Sequence, residues 1–286
     1  MTENQVLAST LNFDSHMPQP SDLWFGPYVH DFRATIPTIE GVASAATFTS
    51  VSINVPKYLS YLLRKIREHD GVVVRAALPV EQGLDAALKE AIKICASAQR
   101  VGTNTNGKVD VFVNATGLGA RTLVPDPAVY PIRGQVVLVR GEAKQVTTCQ
   151  GIDASGEKYI AYVIPRIGGG RTVLGGCNEK GRWSGEVDED MTSKILERAK
   201  ALCPELLENG EFEGLRVVVG LRPARKGGAR MEMEVRGGIE GRKTVVHAYG
   251  HAGAGFQNSV GVAREVVQLV GESVVREDND KIRAKI

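Results

Sequence analysis

The sequence predicts an α/β layer combined with a mainly antiparallel sheet, and two observations support this fold class. Before Pro125, helical and strand-like patterns alternate: helices are predicted at Val55–Asp70 and Gly83–Ser97, and strands at Val72–Arg75 and Asp110–Ala115. After Pro125, strand-like runs dominate, most of them joined by short turns. They are Gln135–Arg140, Tyr159–Pro165, Arg171–Gly176, Leu215–Leu221, Ala229–Val235 and Thr244–Tyr249.

Periodicity and breaker residues define the predicted helices. The first carries apolar residues at helical spacing, with a proline in its first turn and Gly71 at its exit: Leu59, Leu62, Leu63 and Ile66. The second has Leu84, Leu88, Ala91 and Cys95 on one face. A third helix, Asp190–Leu202, interrupts the strands, and a fourth is predicted from Phe256 to Val270. Strands pair across the Gly168-Gly169-Gly170 turn, which is typical of a hairpin.

The ends of the chain lack such patterns. Residues 1–20 have no periodicity and are predicted to be a tail, as are residues 273–286. Residues 21–50 are rich in aromatic residues, prolines and glycines, and are predicted to be irregular.

Composition excludes several classes of function. The 286 residues are 43% hydrophobic, which allows a buried core, and the net charge of +2 provides no field for a polyanion, so no nucleic-acid partner is expected. Widely spaced cysteines without a nearby histidine pair argue against zinc, any other metal site and a disulfide framework: Cys95, Cys149, Cys177 and Cys203.

No secretory signal or membrane-spanning run is visible, so the sequence predicts a soluble intracellular protein without a membrane partner. The last three residues, Ala284-Lys285-Ile286, resemble a peroxisomal import signal. Peroxisome is therefore the predicted location, with the cytoplasm as the alternative.

A glycine-rich turn between a strand and a helix is the most informative stretch, at residues 244–257. Glycines let the main chain approach a ligand closely, and the first turn of a helix offers unpaired N–H groups to oxygen atoms. A cluster of main-chain N–H groups of this kind, called a nest, suits a flat, oxygen-rich cofactor. The alternative is an ordinary glycine connection.

Arg222 ends a predicted strand in the run Gly220-Leu221-Arg222-Pro223-Ala224-Arg225. Alternation puts Val218, Gly220 and Arg222 on one face, so the guanidinium projects beside a residue without a side chain. A guanidinium in that setting matches a carboxylate as a bidentate fork. A solvated arginine at a strand end is the alternative.

Tyr162 alternates with aliphatic residues in the run Tyr159 to Arg166, and its phenol could line an apolar pocket or point to water. Gly175-Gly176, at the end of the next strand, would let a flat ring approach the sheet. No general base is expected, because His251 in the glycine-rich turn has no acid near it in sequence. Nucleophile-elbow, H-E-x-x-H and P-loop motifs are absent.

Together these motifs resemble the D-amino-acid oxidase family of flavoproteins, and are nearest to its fungal members. The resemblance covers about Ser21 to Gly271, and its specificity lies in the order and spacing of the matching runs. These are Phe48 to Leu59, Val113 to Gly117, Arg133 to Gln135, Tyr162 to Arg166, Leu174 to Gly176, Gly220 to Arg225 and His247 to Gly261.

The resemblance implies substrate-binding roles for three residues. Arg222 and Tyr162 would bind the substrate α-carboxylate, and the main-chain carbonyl of Gly253 would receive the α-amino group.

The resemblance also implies FAD as the cofactor. Arg133, Gly134 and Gln135 would lie along the isoalloxazine, while Thr116 and Gly117 would approach the pyrophosphate. The pyrimidine end would be held by a segment that follows the last strand: Gly250, His251, Ala252, Gly253, Ala254, Gly255, Phe256 and Gln257.

The chemistry implied is oxidation of a D-amino acid to a 2-oxo acid, with ammonia and hydrogen peroxide as products and dioxygen as the electron acceptor. The flavin carries the redox step, so the protein supplies orientation and electrostatics. The oligomeric state stays open, with a homodimer as one candidate.

The implied fold class is an incomplete FAD-binding Rossmann-like layer interleaved with a mainly antiparallel substrate domain. Residues 53–125 with 243–272 would form the FAD-binding part, and residues 21–52 with 126–242 the substrate-binding part. The family's first strand, G-x-G-x-x-G turn and helix have no match in this sequence, so we expect a chain shortened at its N-terminus.

Two alternatives remain open. One is a D-aspartate oxidase-like activity, in which Arg166 or Arg225 binds a second carboxylate. The other is an inactive, truncated homologue that does not bind flavin.

Overall fold

The structure is a computed structural model that describes residues 3–9, 25–40, 42–98, 109–153, 155–237 and 243–283. It divides into two compact units. The first comprises residues 1–58, 133–179 and 183–221, and the second residues 59–132, 180–182 and 222–286.

The helices found among the described residues are α1 (Val55–Glu68), α2 (Leu84–Ala98), α3 (Ala120–Leu123), α4 (Glu189–Lys200) and α5 (Ser259–Arg283). The first seven strands are β1 (Glu3–Ser9), β2 (His30–Thr35), β3 (Ser44–Ser50), β4 (Val111–Asn114), β5 (Val129–Arg140), β6 (Val146–Ile152) and β7 (Lys158–Arg166). The others are β8 (Arg171–Gly175), β9 (Glu179–Lys180), β10 (Leu207–Glu208), β11 (Glu211–Phe212), β12 (Gly214–Arg225), β13 (Arg230–Arg236) and β14 (Lys243–Tyr249).

The first unit is built on a large, mainly antiparallel sheet. Its strand order is β12-β5-β8-β7-β6-β1-β3-β2, with β9 paired to β5. The predicted hairpin joins β7 and β8, and its register places Tyr162 opposite Gly175 and Val163 opposite Leu174. Only the β1–β6 contact is parallel among the strand pairs whose register is defined in the described part of this sheet.

Helix α4 covers one face of this sheet. Its N-cap is Asp188, whose carboxylate accepts a hydrogen bond of 3.0 Å from the Met191 amide. The apolar side of α4 presents Ile195 and Ala199, which pack with residues of β5, β7 and β8 into one core: Val137, Val139, Val163 and Leu174. The helix is therefore fixed both at its start and along its buried face.

The second unit contains a three-stranded sheet in the order β13-β14-β4. β14 pairs antiparallel with β13 and parallel with β4. Val245 of β14 packs with the apolar face of α2 in a core that contains Leu84, Ala87, Leu88, Ile92 and Leu123. Helix α5 packs against β13 and β14.

Most predicted helices and strands are found, and the differences have physical reasons. The segment Val72–Arg75 is extended and exposed rather than a strand, because no neighbouring segment of the described chain pairs with its backbone. The apolar face of α1 is exposed, including Leu59 and Ile66.

The predicted tails were wrong where the structure describes them. Residues 3–9 form β1, which pairs with β3 and β6. Helix α5 continues through the predicted C-terminal tail to Arg283, while Ala284-Lys285-Ile286 lie outside the described residues. Strands β2 and β3 replace part of the predicted irregular region, because their pairing compensates for weak local patterns.

Residues 222–242, assigned from sequence to the antiparallel region, belong to the second unit. The reason is the pairing of β13 with β14. The functional labels of the two predicted domains remain predictions. Of the helices described, none is long and apolar enough to cross a membrane.

Candidate active site

Arg222 and Gly253 lie next to each other in the second unit. A Cβ built on Gly253 would be 3.5 Å from Cδ of Arg222 and 3.9 Å from its Nε. Arg222 is half-buried within β12, which continues to Arg225 rather than ending at Arg222 as the sequence predicted. The two residues implicated in holding substrate therefore share one surface, although they are 31 positions apart in the sequence.

The glycine-rich turn after β14 has the backbone geometry of a nest. Gly250 and Ala252 both have positive φ, at 91° and 51°. A short 3-10 helix, Ala252–Ala254, follows, and α5 begins only at Ser259 rather than at the predicted Phe256. Residues between the two helices form turns, so several amides precede the regular ladder of α5.

Gly250 is required by its surroundings. A Cβ at this position would be 2.8 Å from Cβ of Arg225, closer than real Cβ atoms pack. The left-handed backbone would add strain to any other residue. Gly250 therefore lets the turn pass directly over the end of β12, where His251 pairs with Ala224 in an isolated antiparallel bridge.

His251 presents a buried polar atom at this turn. Its Nε2 is shielded from solvent and has no hydrogen-bond partner among the described residues. A buried nitrogen of this kind is normally satisfied, so it is suited to a polar ligand atom. The family resemblance had placed His251 among the residues that would hold the flavin, but the sequence did not indicate that its Nε2 is buried and unpaired.

Thr116 and Gly117 follow β4 in the second unit, where the chain enters a 3-10 helix, Gly117–Gly119. Gly117 has φ of 58°, which favours glycine, and a Cβ there would lie 3.5 Å from Pro223. Thr116 is exposed, and both its hydroxyl and its amide donate to Oδ1 of Asn114, at 2.8 Å and 3.3 Å.

A buried polar cluster supports the same region, and the sequence did not reveal it. Oδ2 of Asp126 accepts a hydrogen bond of 2.8 Å from Nε of Arg225 and one of 2.9 Å from the Tyr249 hydroxyl. Arg230 donates to that hydroxyl at 3.0 Å. Tyr249 is 1% exposed.

Burial pushes the pKa of Asp126 upward, but the hydrogen bonds from Arg225 and Tyr249 outweigh it, so the net pKa is lowered. The carboxylate is therefore ionised when it holds these partners. The sequence did not indicate this cluster, because its members are single residues that no local pattern connects.

This cluster bears on the acidic-substrate alternative. The guanidinium of Arg225 donates to Asp126 and to the main-chain oxygen of Gly228. Its charge is already matched inside the second unit, which argues against its use for a second substrate carboxylate. Arg166 ends β7 in the first unit, and its proposed role stays a prediction.

Arg133 and Gln135 lie in β5 in the first unit, and both side chains are fully buried. Arg133 pairs with Glu179 at 2.6 Å and donates to the main-chain oxygens of Ser184 and Glu186. Gln135 accepts from Arg133 at 2.9 Å and donates to the main chain of Asp188 at 2.7 Å. Both side chains hold the segment that leads into α4, so only the main chain of residues 133–135 stays a candidate for flavin contact.

Tyr162 lies in β7 of the first unit, with its ring over Gly175 and Gly176. A Cβ on Gly176 would be 2.7 Å from the phenolic oxygen. The two glycines do allow a flat ring to approach the sheet, and here that ring is the phenol of Tyr162. The assignment of its hydroxyl to a substrate carboxylate stays a prediction.

The residues in the second unit fit one part of a flavin dinucleotide. The oxygens and nitrogens of a flat polar ring can be met by three features of this unit. They are the main-chain amides of the turn after β14, the buried Nε2 of His251, and the end of β4 at Thr116 and Gly117. Among the residues described, no group of three or more His, Cys, Asp or Glu side chains could hold a metal ion. The four cysteines are free.

Comparison with known proteins identifies the family of this chain. Residues 22–269 match the family model described as FAD dependent oxidoreductase (DAO). A D-amino-acid oxidase from Fusarium vanettenii is 36% identical over 254 residues, which is 86% of this chain and 65% of the relative. A D-amino-acid oxidase from Schizosaccharomyces pombe is 36% identical over 77% of this chain and 58% of its own length.

A third protein named D-amino-acid oxidase, from Rubrobacter xylanophilus, is 32% identical over 89% of this chain and 69% of its own length. The chain thus spans 58% to 69% of the length of these three curated relatives.

Solved structures support the fold. Glycine oxidase from Geobacillus kaustophilus superposes with a TM-score of 0.64 at 17% identity, covering 94% of this chain and 71% of that one. L-proline dehydrogenase from P. horikoshii gives 0.58 at 12% identity, covering 96% and 72%. The predicted fold class is confirmed, and the chain belongs to the family of FAD-dependent oxidoreductases that contains the proteins named D-amino-acid oxidase.

Proposed function

We propose that this protein oxidises D-amino acids to imino acids with FAD, and that these are hydrolysed to 2-oxo acids and ammonia, so that dioxygen and water are consumed and hydrogen peroxide is released. The observation that carries the proposal is that Arg222 lies next to Gly253, in a turn where Nε2 of His251 has no hydrogen-bond partner. The curated relatives that match most of the chain are named for this activity.

Arg222 supplies the substrate anchor. Its planar guanidinium offers parallel N–H groups that fit a carboxylate, and its half-buried position strengthens that contact compared with bulk water. Tyr162 remains the predicted second contact of the carboxylate, as implied by the family resemblance.

Gly253 supplies the second fixed point. Its main-chain carbonyl is the proposed acceptor for the α-amino group, and the missing side chain leaves room beside Cδ of Arg222. With carboxylate and amino group both fixed, the α-hydrogen of only one mirror image points in a given direction, so the two anchors provide the stereochemical preference.

FAD, when bound, supplies the redox chemistry by accepting the equivalent of a hydride from the α-carbon. The proposed holders of its pyrimidine end are residues 250–257, with His251 Nε2 as the side-chain contact. The main chain at 133–135 and the strand end at Thr116 and Gly117 are the other proposed contacts.

Location and assembly belong to the same proposal. The proposed location is the peroxisome, because Ala284-Lys285-Ile286 resemble an import signal, and the proposed assembly is a homodimer, because the family resemblance suggests one. The location is tested by fusing a fluorescent protein to the N-terminus of the chain, with and without the last three residues, and imaging where the fluorescence accumulates. The assembly is tested by measuring the molecular mass of the purified chain by light scattering.

The central experiment measures flavin and turnover together. The purified chain is incubated with FAD, freed of excess cofactor, and scanned for flavin absorbance. Hydrogen peroxide is then measured with D-alanine, D-aspartate and L-alanine. We expect bound flavin and activity on D-alanine, whereas a colourless protein would favour the inactive homologue and contradict the proposal.

Arg222→Ala provides the residue-level test. Loss of a charge-assisted pair is expected to raise KM for D-alanine by about 10- to 100-fold. Arg216→Ala is the matched control, because Arg216 is exposed on the same strand and the same face. Equal effects of the two substitutions would contradict the role of Arg222.

A further inference from the structure

A continuous chain of hydrogen bonds runs behind the end of β4 in the second unit. Oε2 of Glu234 lies 3.0 Å from Nε2 of His247, and Nδ1 of His247 lies 3.1 Å from Nδ2 of Asn114. Oδ1 of Asn114 then accepts both donors of Thr116. His247 is 0% exposed and Asn114 is 5% exposed, so water does not compete for the contact between these two residues.

The protons along this chain are fixed by chemistry. The amide N–H of Thr116 can only donate, so the Asn114 atom facing it must be the carbonyl oxygen. Asn114 therefore presents its NH₂ group to His247, whose Nδ1 must accept. The remaining ring proton sits on Nε2 and is donated to the Glu234 carboxylate.

The charge of Glu234 is balanced by two arginines. Arg236 donates to its Oε1 at 2.8 Å, and Arg230 lies 3.7 Å from its Oε2. The carboxylate thus stays an acceptor for His247. In every hydrogen bond of the chain, the donor is on the Thr116 side and the acceptor on the Glu234 side.

The direction of these bonds decides which ligand groups Thr116 can bind. A threonine hydroxyl has one proton, and Thr116 gives it to Asn114, as it gives its amide proton. Thr116 is exposed, so what it offers outward is a pair of oxygen lone pairs. Phosphate oxygens need donors, and in this arrangement both protons of Thr116 go to Asn114.

We propose that Glu234, His247 and Asn114 are positioning residues that hold Thr116 as a hydrogen-bond acceptor, so that the end of β4 binds a ligand hydroxyl. In the context of the proposed function, that hydroxyl belongs to the ribityl or ribose part of FAD. This replaces the pyrophosphate contact that family resemblance suggested for Thr116.

The first test concerns the chain without flavin, so it is independent of oxidase activity. Two-bond ¹⁵N–¹H spectra of the labelled protein at neutral pH report which nitrogen of His247 carries the proton. We expect protonation at Nε2 alone. Protonation at Nδ1, or at both nitrogens, would overturn the proposal.

A second measurement follows the relay to Thr116. Asn114→Ala should accelerate hydrogen exchange of the Thr116 amide by about tenfold or more, because its acceptor is lost. Thr49→Ala is the control, since Thr49 bonds Asp31 in the other unit. An unchanged exchange rate in Asn114→Ala would argue against the relay.

The ligand class is tested by titration, with the amide signals of Thr116 and Gly117 as the readout. The probes are FAD, riboflavin, adenosine and inorganic pyrophosphate. Thr116→Val should weaken FAD and at least one hydroxyl-bearing fragment by about three- to tenfold, leaving pyrophosphate unchanged, while Thr116→Ser stays within about twofold.

Two results contradict the ligand assignment. One is a weaker pyrophosphate affinity in Thr116→Val, and the other is equal affinity of wild type and Thr116→Val for every probe. Bound FAD without turnover would reject the proposed oxidation and leave the relay standing, so the two proposals fail separately.

Discussion

Gly253 lies directly against Arg222, with 3.5 Å between Cδ of the arginine and the position of a Cβ on the glycine. That distance is an ordinary van der Waals contact, so a methyl group fits without displacing the backbone. It also fills the space beside the guanidinium where a small anion would bind.

We therefore expect Gly253→Ala to fold normally and to raise KM for a D-amino acid by roughly fivefold, as about 1 kcal/mol of binding is lost. Steady-state kinetics and thermal melting check this. Gly214→Ala serves as control, because a Cβ there meets nothing within 4 Å. An unchanged KM would show that the space beside Arg222 is not used.

Gly250→Ala, unlike Gly253→Ala, should lower the stability of the fold. Its positive φ and the 2.8 Å approach to Cβ of Arg225 leave no room for a side chain. We expect a loss of about 1–3 kcal/mol in the free energy of unfolding, from strain and from displacement of Arg225. Urea denaturation measures it, with Gly253→Ala as the comparison, and equal stability of both variants would refute the prediction.

Asp126→Asn should destabilise the second unit. An amide at this position keeps the size of the side chain but loses the charge that Arg225 and Tyr249 both contact. We expect a loss of about 2–4 kcal/mol in unfolding free energy, because a partly buried guanidinium is left unmatched. Tyr249→Phe removes only one hydroxyl and should cost less. A smaller effect for Asp126→Asn than for Tyr249→Phe would contradict this.

His247 should make stability depend on pH in the weakly acidic range. Burial lowers its pKa below the ordinary value of 6.5, and the hydrogen bond to Glu234 opposes that shift only in part. Below pH 6.5 the unfolded chain binds a proton at this residue and the folded chain does not, so stability falls as pH falls through this window.

The measurement is unfolding free energy between about pH 8 and pH 5, where one such group contributes a slope of up to about 1.4 kcal/mol per pH unit. His247→Gln should flatten the curve. Asp126 and Glu234 do not interfere, because the lowered pKa of each places its own loss of stability below its ordinary value of 3.8 or 4.5. The same slope in His247→Gln and wild type would exclude His247 as the source.

Gly176→Ala should disturb Tyr162. A Cβ at this glycine would come 2.7 Å from the phenolic oxygen, so the ring must move. We expect a loss of about 1–3 kcal/mol in stability, and recovery of part of it when Tyr162→Ala is added, because the clash is then gone. Additive losses in the double variant would show that the ring does not pack against Gly176.

Strands and helices with strong local signals were predictable. The β7–β8 hairpin follows from alternating residues on either side of Gly168-Gly169-Gly170, and α4 was predicted at Asp190–Leu202, close to its observed bounds. The Val72–Arg75 segment shows the limit, because a run of valines forms a strand only where another strand pairs with it.

The candidate site divides in the same way. Sequence order and spacing identified the family, Arg222 and the glycine-rich turn after β14, because these are local runs with their own backbone requirements. Only the folded chain put Gly253 beside Arg222, joined Asp126 to Arg225 and Tyr249, and directed the proton of Thr116 inward through Asn114 and His247. Those contacts join residues far apart in sequence, and their hydrogen-bond directions depend on burial and on which atoms face each other, neither of which a linear pattern specifies.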